Sequence, residues 1–428
     1  MIVSRDWAGK RYAVLGLARS GAATVSALLA GGARVVAWDS DPAKREAFAP
    51  HDRLSIAPLD DLSGFDALVV SPGVPLNTHP LAAAARAAGV PVIGDIELFA
   101  QARKDLPQHK VVGITGTNGK STTTALVHHI LKTAGVPTLM GGNIGLPILG
   151  QEPLTEGGVY VLELSSYQID LTQSLDCDVA VLLNITPDHL DRYDGFAGYA
   201  ASKARLFAMQ SAGHVAVVGT GDEASANIAQ GLAGRADDLV TIAASAIDQS
   251  RWPALQGPHN AQNALAAIAV ARALGLAEDV IEAGLRTYAS LPHRMQHVTT
   301  RNGVAFVNDS KATNPESTAP ALAAFPRVHW IVGGKRKGDD LDACAAHLDH
   351  VVAAYTIGEA APLFFDLLKG KVPVVEQSGT LEAAVAHAAA AARPGDTVLL
   401  SPACASFDQF RDYEARGDAF RAAVEALA

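Results

Sequence analysis

Features typical of secreted, membrane-embedded or nucleic-acid-binding proteins are missing from this sequence. It has only three cysteines, Cys177, Cys344 and Cys404, with neither metal-ligand spacing nor the number for a disulfide framework. No apolar run approaches roughly 18 residues, and the first residues lack a signal-peptide pattern. The 34 basic and 44 acidic residues argue against a nucleic-acid or anionic-membrane partner. We expect a cytoplasmic protein that binds neither, with the cysteines in its core.

What the sequence does contain is a regular alternation of strand-like apolar runs and helical stretches, the pattern of parallel α/β sheets. At 428 residues the chain is too long for one ordinary core. A prior of about 150 residues per domain gives roughly three domains. We predict an α/β protein with domains at 1–94, 95–297 and 298–428.

The most informative motif lies between a strand-like run and a helical pattern, and it reads Gly116-Thr117-Asn118-Gly119-Lys120-Ser121-Thr122. The glycines let backbone N–H groups turn toward a phosphate, Lys120 supplies positive charge, and the Ser121 hydroxyl is placed to bind Mg²⁺. Ile114 occupies the position of the first glycine in G-x-x-x-x-G-K-[ST], so a chance glycine turn is the alternative. The motif predicts use of a nucleoside triphosphate.

A second glycine turn, Gly16-Leu17-Ala18-Arg19-Ser20-Gly21, follows the first strand-like run. It resembles G-x-G-x-x-G with Ala18 in the second glycine position, and Asp39 closes the next strand where a ribose-binding acid is expected. Taken alone, the turn is compatible with a dinucleotide site, a mononucleotide-sugar site or no ligand at all.

Two polar residues follow consecutive strand-like runs in the central segment. Glu163 ends one apolar run, where a carboxylate is costly unless it meets a cation, so it is a candidate Mg²⁺ ligand; an ion-paired or capping glutamate is the alternative. His189 follows the next run, and a lone histidine is more often structural. Because ligands bind outside the carboxyl ends of parallel strands, both are candidates for one site.

Lys203 shares a helical stripe with the bulky residues Phe196, Tyr199, Leu206 and Phe207. Its ammonium could reach water by snorkelling past them. The alternative is a functional amine at the phosphate site, either as a direct phosphate partner or, after reaction with CO₂, as a carbamate that binds a metal. The stripe itself does not decide between these interpretations.

Eight ordered motifs make the chain resemble the Mur ligase family, in the branch that adds D-glutamate to UDP-N-acetylmuramoyl-L-alanine. The resemblance runs from the first strand to the C-terminal helix. The motifs begin at Gly116, Gly141, Glu163, Asp188, His259, Pro292, Asp309 and Ser401.

The resemblance implies a Rossmann-like UDP-binding domain, a central P-loop ATPase-like domain with a mostly parallel sheet, and a C-terminal Rossmann-like domain that brings in the amino acid. It implies ATP-dependent amide formation through an acyl phosphate by a monomer. The cofactors would be ATP, two Mg²⁺ ions and a carbamate on Lys203.

Site residues follow from the same resemblance. The catalytic residues would be Lys120, His189, Lys203 and Lys311. ATP would be bound by Gly116, Thr117, Asn118, Gly119, Lys120, Ser121, Thr122, Asn263, Arg294 and Asp309, and Mg²⁺ by Ser121, Glu163, His189 and carbamylated Lys203. The UDP substrate would contact Leu15, Gly16, Leu17, Asp39, Ser40, Ser71, Pro72, Gly73 and Asn143. Glutamate would be held by Thr313, Lys337, Ser406 and the backbone of Tyr413, with Lys335 as the alternative to Lys337.

Each rival interpretation fails to explain some of the residues described above. A nicotinamide dehydrogenase accounts for residues 14–39 but not for the loop at Lys120. A catalytically silent UDP-sugar sensor does not need the set of Lys120, Glu163, His189 and Lys203. The enzyme alternatives are an L-glutamate-adding variant and a folylpolyglutamate synthase-like ligase, and the nucleotide-type turn at Gly16 counts against the latter.

Overall fold

Strands and helices alternate along the chain as its apolar pattern predicts. The computed structural model describes residues 1–243, 247–336 and 338–427. The strands are β1 (Arg11–Leu15), β2 (Arg34–Trp38), β3 (Leu54–Ile56), β4 (Ala67–Val70), β5 (Val92–Ile93), β6 (His109–Thr115), β7 (Thr138–Gly142), β8 (Gly158–Glu163), β9 (Val179–Leu182), β10 (Val215–Gly219), β11 (Leu239–Ile242), β12 (Gln296–Arg301), β13 (Val304–Asn308), β14 (Val328–Gly333), β15 (Val351–Ile357), β16 (Val375–Gly379) and β17 (Thr397–Leu400).

Most crossovers between parallel strands contain an α-helix. The α-helices are α1 (Arg19–Ala30), α2 (Pro42–Glu46), α3 (Pro80–Ala88), α4 (Asp95–Ala102), α5 (Lys120–Thr133), α6 (Ser166–Asp170), α7 (Gly195–Ala208), α8 (Glu223–Gly231), α9 (Pro258–Ala273), α10 (Glu278–Thr287), α11 (Pro315–Ala323), α12 (Ala361–Leu368), α13 (Leu381–Ala391) and α14 (Tyr413–Glu425). In the described ranges, no helix is both long enough and apolar enough to cross a lipid bilayer.

The described strands form three sheets, with the orders β3-β2-β1-β4-β5, β11-β10-β9-β6-β8-β7 and β12-β13-β17-β14-β15-β16. Every neighbouring pair in the first two sheets is parallel. In the third sheet β12 pairs antiparallel with β13 and the remaining pairs are parallel. The predicted fold class is therefore confirmed.

The chain divides into two compact units. The first comprises Met1–Ala244 and Leu265–Gly284, and the second comprises Ser245–Ala264 and Leu285–Ala428. The first unit holds the first two sheets and the second unit holds the third sheet. The predicted boundaries at 94/95 and 297/298 stay predictions, and β12 already begins inside the segment assigned to the central domain.

In the first unit, alternate side chains of each central strand enter different apolar layers. Tyr12 and Val14 of β1 join one buried cluster, and Ala13 and Leu15 join another. Burial on both faces explains why these strands are continuous apolar runs. In the middle of β6, a Cβ on Gly113 would lie 2.6 Å from Sγ of Cys177, so this strand position needs glycine.

The second unit repeats this two-sided arrangement around its own sheet. Val307 and Trp330 belong to a buried cluster on one face, whereas Phe306 and Ile331 belong to the cluster on the other. All three cysteines are buried and unbonded, as predicted for core residues.

Candidate active site

The glycine loop at Gly116 lies at the carboxyl edge of the second sheet. It connects β6, which lies between β9 and β8, to α5. Gly119 caps α5 with φ 85°, a left-handed conformation that favours glycine, and Gly116 has φ 154°. The N-terminus of α5, at the end of this loop, suits a phosphate, which is the ligand that the motif predicts.

Asn184, just beyond β9, fixes the shape of this loop. Its Oδ1 accepts a 2.8 Å hydrogen bond from the Asn118 amide, and its Nδ2 donates to the Asn118 carbonyl over 3.2 Å. The Asn184 carbonyl also accepts the Thr117 amide at 2.9 Å. The sequence analysis assigned Asn184 no role; its polarity directly after the buried residues Val181–Leu183 was the available signal.

Lys203 is buried, with 1% of its surface exposed, so the snorkelling interpretation is wrong. Its ammonium donates to the Gly116 carbonyl over 3.0 Å and lies 4.7 Å from the ring centre of Tyr199. Burial, followed by the charge of Lys120, lowers the pKa of Lys203 well below its ordinary value. Tyr199, Leu206 and Phe207 of the same helical stripe are buried, and Lys203 is buried with them.

Glu163 is buried at the end of β8, and its two oxygens differ. Oε1 accepts a 2.9 Å hydrogen bond from Nδ2 of Asn143, whereas Oε2 is buried with no hydrogen-bond partner in the described part of the chain. Such an oxygen in an apolar setting is costly unless a cation meets it. Glu163 therefore fits a role as a ligand of Mg²⁺, which prefers oxygen donors.

His189 lies on an exposed loop, with 47% of its side chain accessible, and has φ 53°. Its ring is 5.2 Å from that of Tyr167 and 6.4 Å from that of Tyr199, the residue under Lys203. Among the described residues, no three histidine, cysteine or acidic side chains converge as a ready-made metal site. Ser121 and Lys203, the other residues predicted to bind Mg²⁺, are both buried.

The residues predicted to bind UDP surround one cleft of about 700 Å³ in the first unit. All of them except Leu17 line it: Leu15, Gly16, Asp39, Ser40, Ser71, Pro72, Gly73 and Asn143. Arg19, Lys44 and His79, which were not predicted, line it as well. The cleft has the volume typical of small-molecule sites.

Asp39 supports the wall of this cleft. Its carboxylate accepts the Leu17 amide at 2.7 Å and the Asp41 amide at 2.9 Å, with the Lys44 ammonium at 3.7 Å. Burial alone would raise the pKa of Asp39, but these N–H bonds and Lys44 lower it overall. The Leu17 side chain packs into the core, which explains why Leu17 does not line the cleft.

The remaining predicted residues lie in the second unit. Lys311 donates a 2.8 Å hydrogen bond to the Tyr413 hydroxyl and lies 4.3 Å from its ring centre. Asn263 donates to Asn260 over 3.1 Å. Arg294, Thr313 and Ser406 lie in the same unit, and Ser406 is buried. Lys337 lies outside the described residues.

Asp309, at the end of β13, is buried among polar partners. Its oxygens accept the Ser401 hydroxyl at 2.9 Å and the Met295 amide at 3.1 Å. Burial raises the pKa of Asp309 to about 7, although both hydrogen bonds and Arg294 oppose the rise. A carboxyl group with this pKa can bind either as a donor or as an acceptor near neutral pH.

Arg416 of α14 is a residue that sequence reasoning missed. It is 1% exposed, and its guanidinium donates to the carbonyls of Ser310, Cys404 and Ala405 and to the Ser310 hydroxyl. It thereby fixes the loops that contain Asp309–Lys311 and Ser406. An arginine in a polar helix pattern resembles a surface residue, so the sequence held no clear signal.

Three family models match consecutive parts of the chain. They are described as the Mur ligase MurD-like N-terminal domain (residues 10–94), the Mur ligase middle domain (residues 114–253) and the Mur ligase, glutamate ligase domain (residues 293–404). Together they cover most of the chain in the order that the motifs predict.

Curated relatives match the chain over its whole length. The UDP-N-acetylmuramoylalanine--D-glutamate ligase of Novosphingobium aromaticivorans is 66% identical, covering 100% of this chain and 97% of the relative. Its counterpart from Zymomonas mobilis subsp. mobilis is 58% identical and covers 100% of both.

Solved structures share the fold at low identity. The MurF ligase of Thermotoga maritima, solved in complex with ADP, has a TM-score of 0.60 at 18% identity and covers 98% of this chain and 96% of that one. UDP-N-acetylmuramate-alanine ligase MurC from Thermotoga maritima has a TM-score of 0.59 at 17% identity, covering 97% and 99%. With matching family models and full-length relatives well above 30% identity, the chain belongs to the Mur ligase family.

Proposed function

We propose that the chain joins D-glutamate to UDP-N-acetylmuramoyl-L-alanine, using ATP, in peptidoglycan precursor synthesis. The full-length relatives named UDP-N-acetylmuramoylalanine--D-glutamate ligase support this reaction. The observation that carries it is the hydrogen bond between Asn143 and Glu163. Asn143 lines the cleft that is predicted to bind the UDP substrate, the nucleotide-sugar cleft. Glu163 ends the strand beside the glycine loop at Gly116, the phosphate loop. The acid to be activated and the phosphate donor would meet at this pair.

The reaction follows from the chemistry of a poor electrophile. The alanyl carboxylate attacks the γ-phosphorus of ATP, ADP leaves, and an acyl phosphate forms. The neutral amine of glutamate then attacks the acyl carbon, and the tetrahedral adduct loses one amine proton and expels phosphate, which leaves an amide. Lys120 offsets charge on the transferring phosphoryl group, and Lys311 would face the same group. Protection from water matters, because the acyl phosphate would otherwise hydrolyse.

The site fits a divalent cation through the unpartnered Oε2 of Glu163. We assign Ser121, Glu163, His189 and carbamylated Lys203 to two Mg²⁺ positions. Bound Mg²⁺ would offset negative charge on the phosphates. The lowered pKa of Lys203 favours the neutral amine, which is the form that reacts with CO₂.

The other assignments are part of the same proposal. Asn263, Arg294 and Asp309 bind the nucleotide, and the cleft residues hold the uracil and diphosphate. Thr313, Lys337, Ser406 and the Tyr413 backbone hold glutamate. We propose a monomer that works in the cytoplasm. Three buried cysteines without disulfide bonds are consistent with that reducing compartment.

A coupled assay of ADP release tests the proposal. We expect turnover only with Mg²⁺, UDP-N-acetylmuramoyl-L-alanine and D-glutamate together. L-glutamate, offered separately, tests the variant that adds the other enantiomer, and a folate tests the folylpolyglutamate synthase-like alternative. Comparable turnover with L-glutamate, L-alanine, meso-diaminopimelate or a folate would refute the assignment.

A further inference from the structure

A loop of residues 186–194 runs between the phosphate loop and the nucleotide-sugar cleft of the first unit. At its start, the Thr186 amide donates to Oγ1 of Thr117 over 3.0 Å. Near its end, the Asp191 carbonyl accepts a 3.1 Å hydrogen bond from Nδ2 of Asn77, on the cleft side. One short segment therefore contacts the phosphate loop and a residue that lies between Pro75 and His79, which line the cleft.

Arg192 makes a second and different connection to the cleft. Its Nη2 donates to the carbonyl of Val74 over 3.0 Å, and Val74 lines the cleft. The same guanidinium lies over the ring of Tyr167, with its central carbon 4.4 Å from the ring centre. Stacking and in-plane donation at once require a planar cation, which lysine does not provide.

The contacts of Arg192 continue to His189. The ring of Tyr167 is 5.2 Å from the imidazole of His189, and the Arg192 amide donates to the His189 carbonyl over 2.9 Å. His189 has φ 53°, a left-handed conformation that a non-glycine residue holds only when its surroundings fix it. Arg192 thus reaches His189 both through its backbone and through Tyr167.

From this geometry we propose that Arg192 is a positioning residue that couples occupancy of the nucleotide-sugar cleft to the placement of His189. A ligand that orders the wall at Val74 also orders the guanidinium, and with it Tyr167 and His189. This inference rests on the proposed function, because His189 has its metal-binding role there. Its consequence is that the two substrates bind cooperatively.

Calorimetry measures this coupling without turnover. The affinity of the wild-type chain for the Mg²⁺ complex of a non-hydrolysable ATP analogue is compared with and without saturating UDP-N-acetylmuramoyl-L-alanine. We expect tightening on the order of 5- to 10-fold, and an equal effect in the reverse direction because linkage is reciprocal. In Arg192→Ala the factor should fall to about one, whereas each ligand alone still binds.

Arg205→Ala is the matched control. Arg205 also donates one side-chain hydrogen bond to a carbonyl, that of Thr172 over 3.0 Å, but it contacts neither Val74 nor Tyr167 in the described structure. It should keep the wild-type coupling. Arg192→Lys keeps the charge without the planar stack and should lose most of the coupling, which covers the case in which the alanine variant does not fold.

Three results would overturn the inference: no coupling in the wild type, wild-type coupling in Arg192→Ala or Arg192→Lys, or equal loss in Arg205→Ala. Failure of the proposed function would be seen in a different assay, as no ADP release with D-glutamate. The calorimetric affinities can be measured whatever that assay shows.

Discussion

The ammonium groups of Lys120 and Lys203 donate hydrogen bonds to the same carbonyl oxygen, that of Gly116, over 2.9 and 3.0 Å. Two like charges that share one acceptor repel each other, and Lys203 is buried as well. The neutral form of Lys203 is therefore favoured. A carbamate on Lys203 would replace this repulsion with attraction to Lys120 and to a cation.

Replacing Lys203 with alanine should lower turnover by roughly two orders of magnitude or more, because the phosphoryl-transfer site loses the negative charge of the proposed carbamate. Formate or acetate should partly restore activity by occupying the position of the carbamate. The measurement is ADP release as a function of carboxylate concentration. The same salts added to Lys120→Ala serve as the control and should have no effect. An active Lys203→Ala enzyme would return Lys203 to a structural role.

Lys120→Ala should reduce turnover by about 10²- to 10³-fold, because one preorganised cation that faces the phosphates is lost. The affinity for UDP-N-acetylmuramoyl-L-alanine should stay near that of the wild type, since Lys120 does not line the nucleotide-sugar cleft. Calorimetry with that ligand alone checks the second point. A large loss of its affinity would argue against two separate binding places.

Glu163→Gln should raise the Mg²⁺ concentration at half-maximal rate on the order of 10- to 100-fold, because the unpartnered carboxylate oxygen is replaced by a neutral amide. The measurement is the Mg²⁺ concentration at half-maximal rate. Glu97→Gln is a matched control, since Glu97 is also buried in the first unit but accepts hydrogen bonds from Gln173 and Ser174. It should lower stability and leave the Mg²⁺ requirement unchanged. Equal Mg²⁺ profiles for all three proteins would count against Glu163 as a ligand.

Some of the residues that sequence reasoning located follow from strand ends, and the others came only from the family resemblance. In a parallel sheet the carboxyl ends of neighbouring strands share one edge, so Gly16 and Asp39 were expected near one another. Ser71 came from the family resemblance, and it follows β4, which pairs with β1. Glu163 and the glycine loop follow from the same rule, because β6 and β8 are neighbours. No knowledge of side-chain packing was needed for either set.

The residues that it missed act through loop conformation or burial. Asn184 and Arg192 have roles only because particular carbonyls, those of Asn118 and Val74, lie within hydrogen-bond distance. The helical stripe alone left the role of Lys203 undecided, because helical period assigns residues to a stripe without saying how deep that stripe lies; the family resemblance assigned it to the metal site. Arg416 is similar, since a charged residue on a polar helix carries no sign that it will be buried.

Asp95, at the start of α4, supplies a prediction about pH and stability. It is buried; Oδ1 accepts the Ile96 amide over 3.0 Å, and Oδ2 has no hydrogen-bond partner in the described residues. Burial raises the pKa of Asp95 from 3.8 to about 6 in the folded state. Folding therefore favours the protonated acid, so the contribution of Asp95 to stability is full below the unfolded pKa and is lost as pH rises through about 6.

Asp95→Asn removes this titration while keeping the size of the side chain. Relative to the wild type, the variant should gain up to about 3 kcal/mol in the free energy of unfolding between roughly pH 4 and pH 7, since each pKa unit is worth about 1.4 kcal/mol. The sign follows because only the wild type has to bury a carboxylate at the higher pH. Urea unfolding of both proteins at several pH values gives the difference, and a constant offset from the altered hydrogen bonding does not affect its slope. A difference that is independent of pH would show that Asp95 has an ordinary pKa in the folded protein.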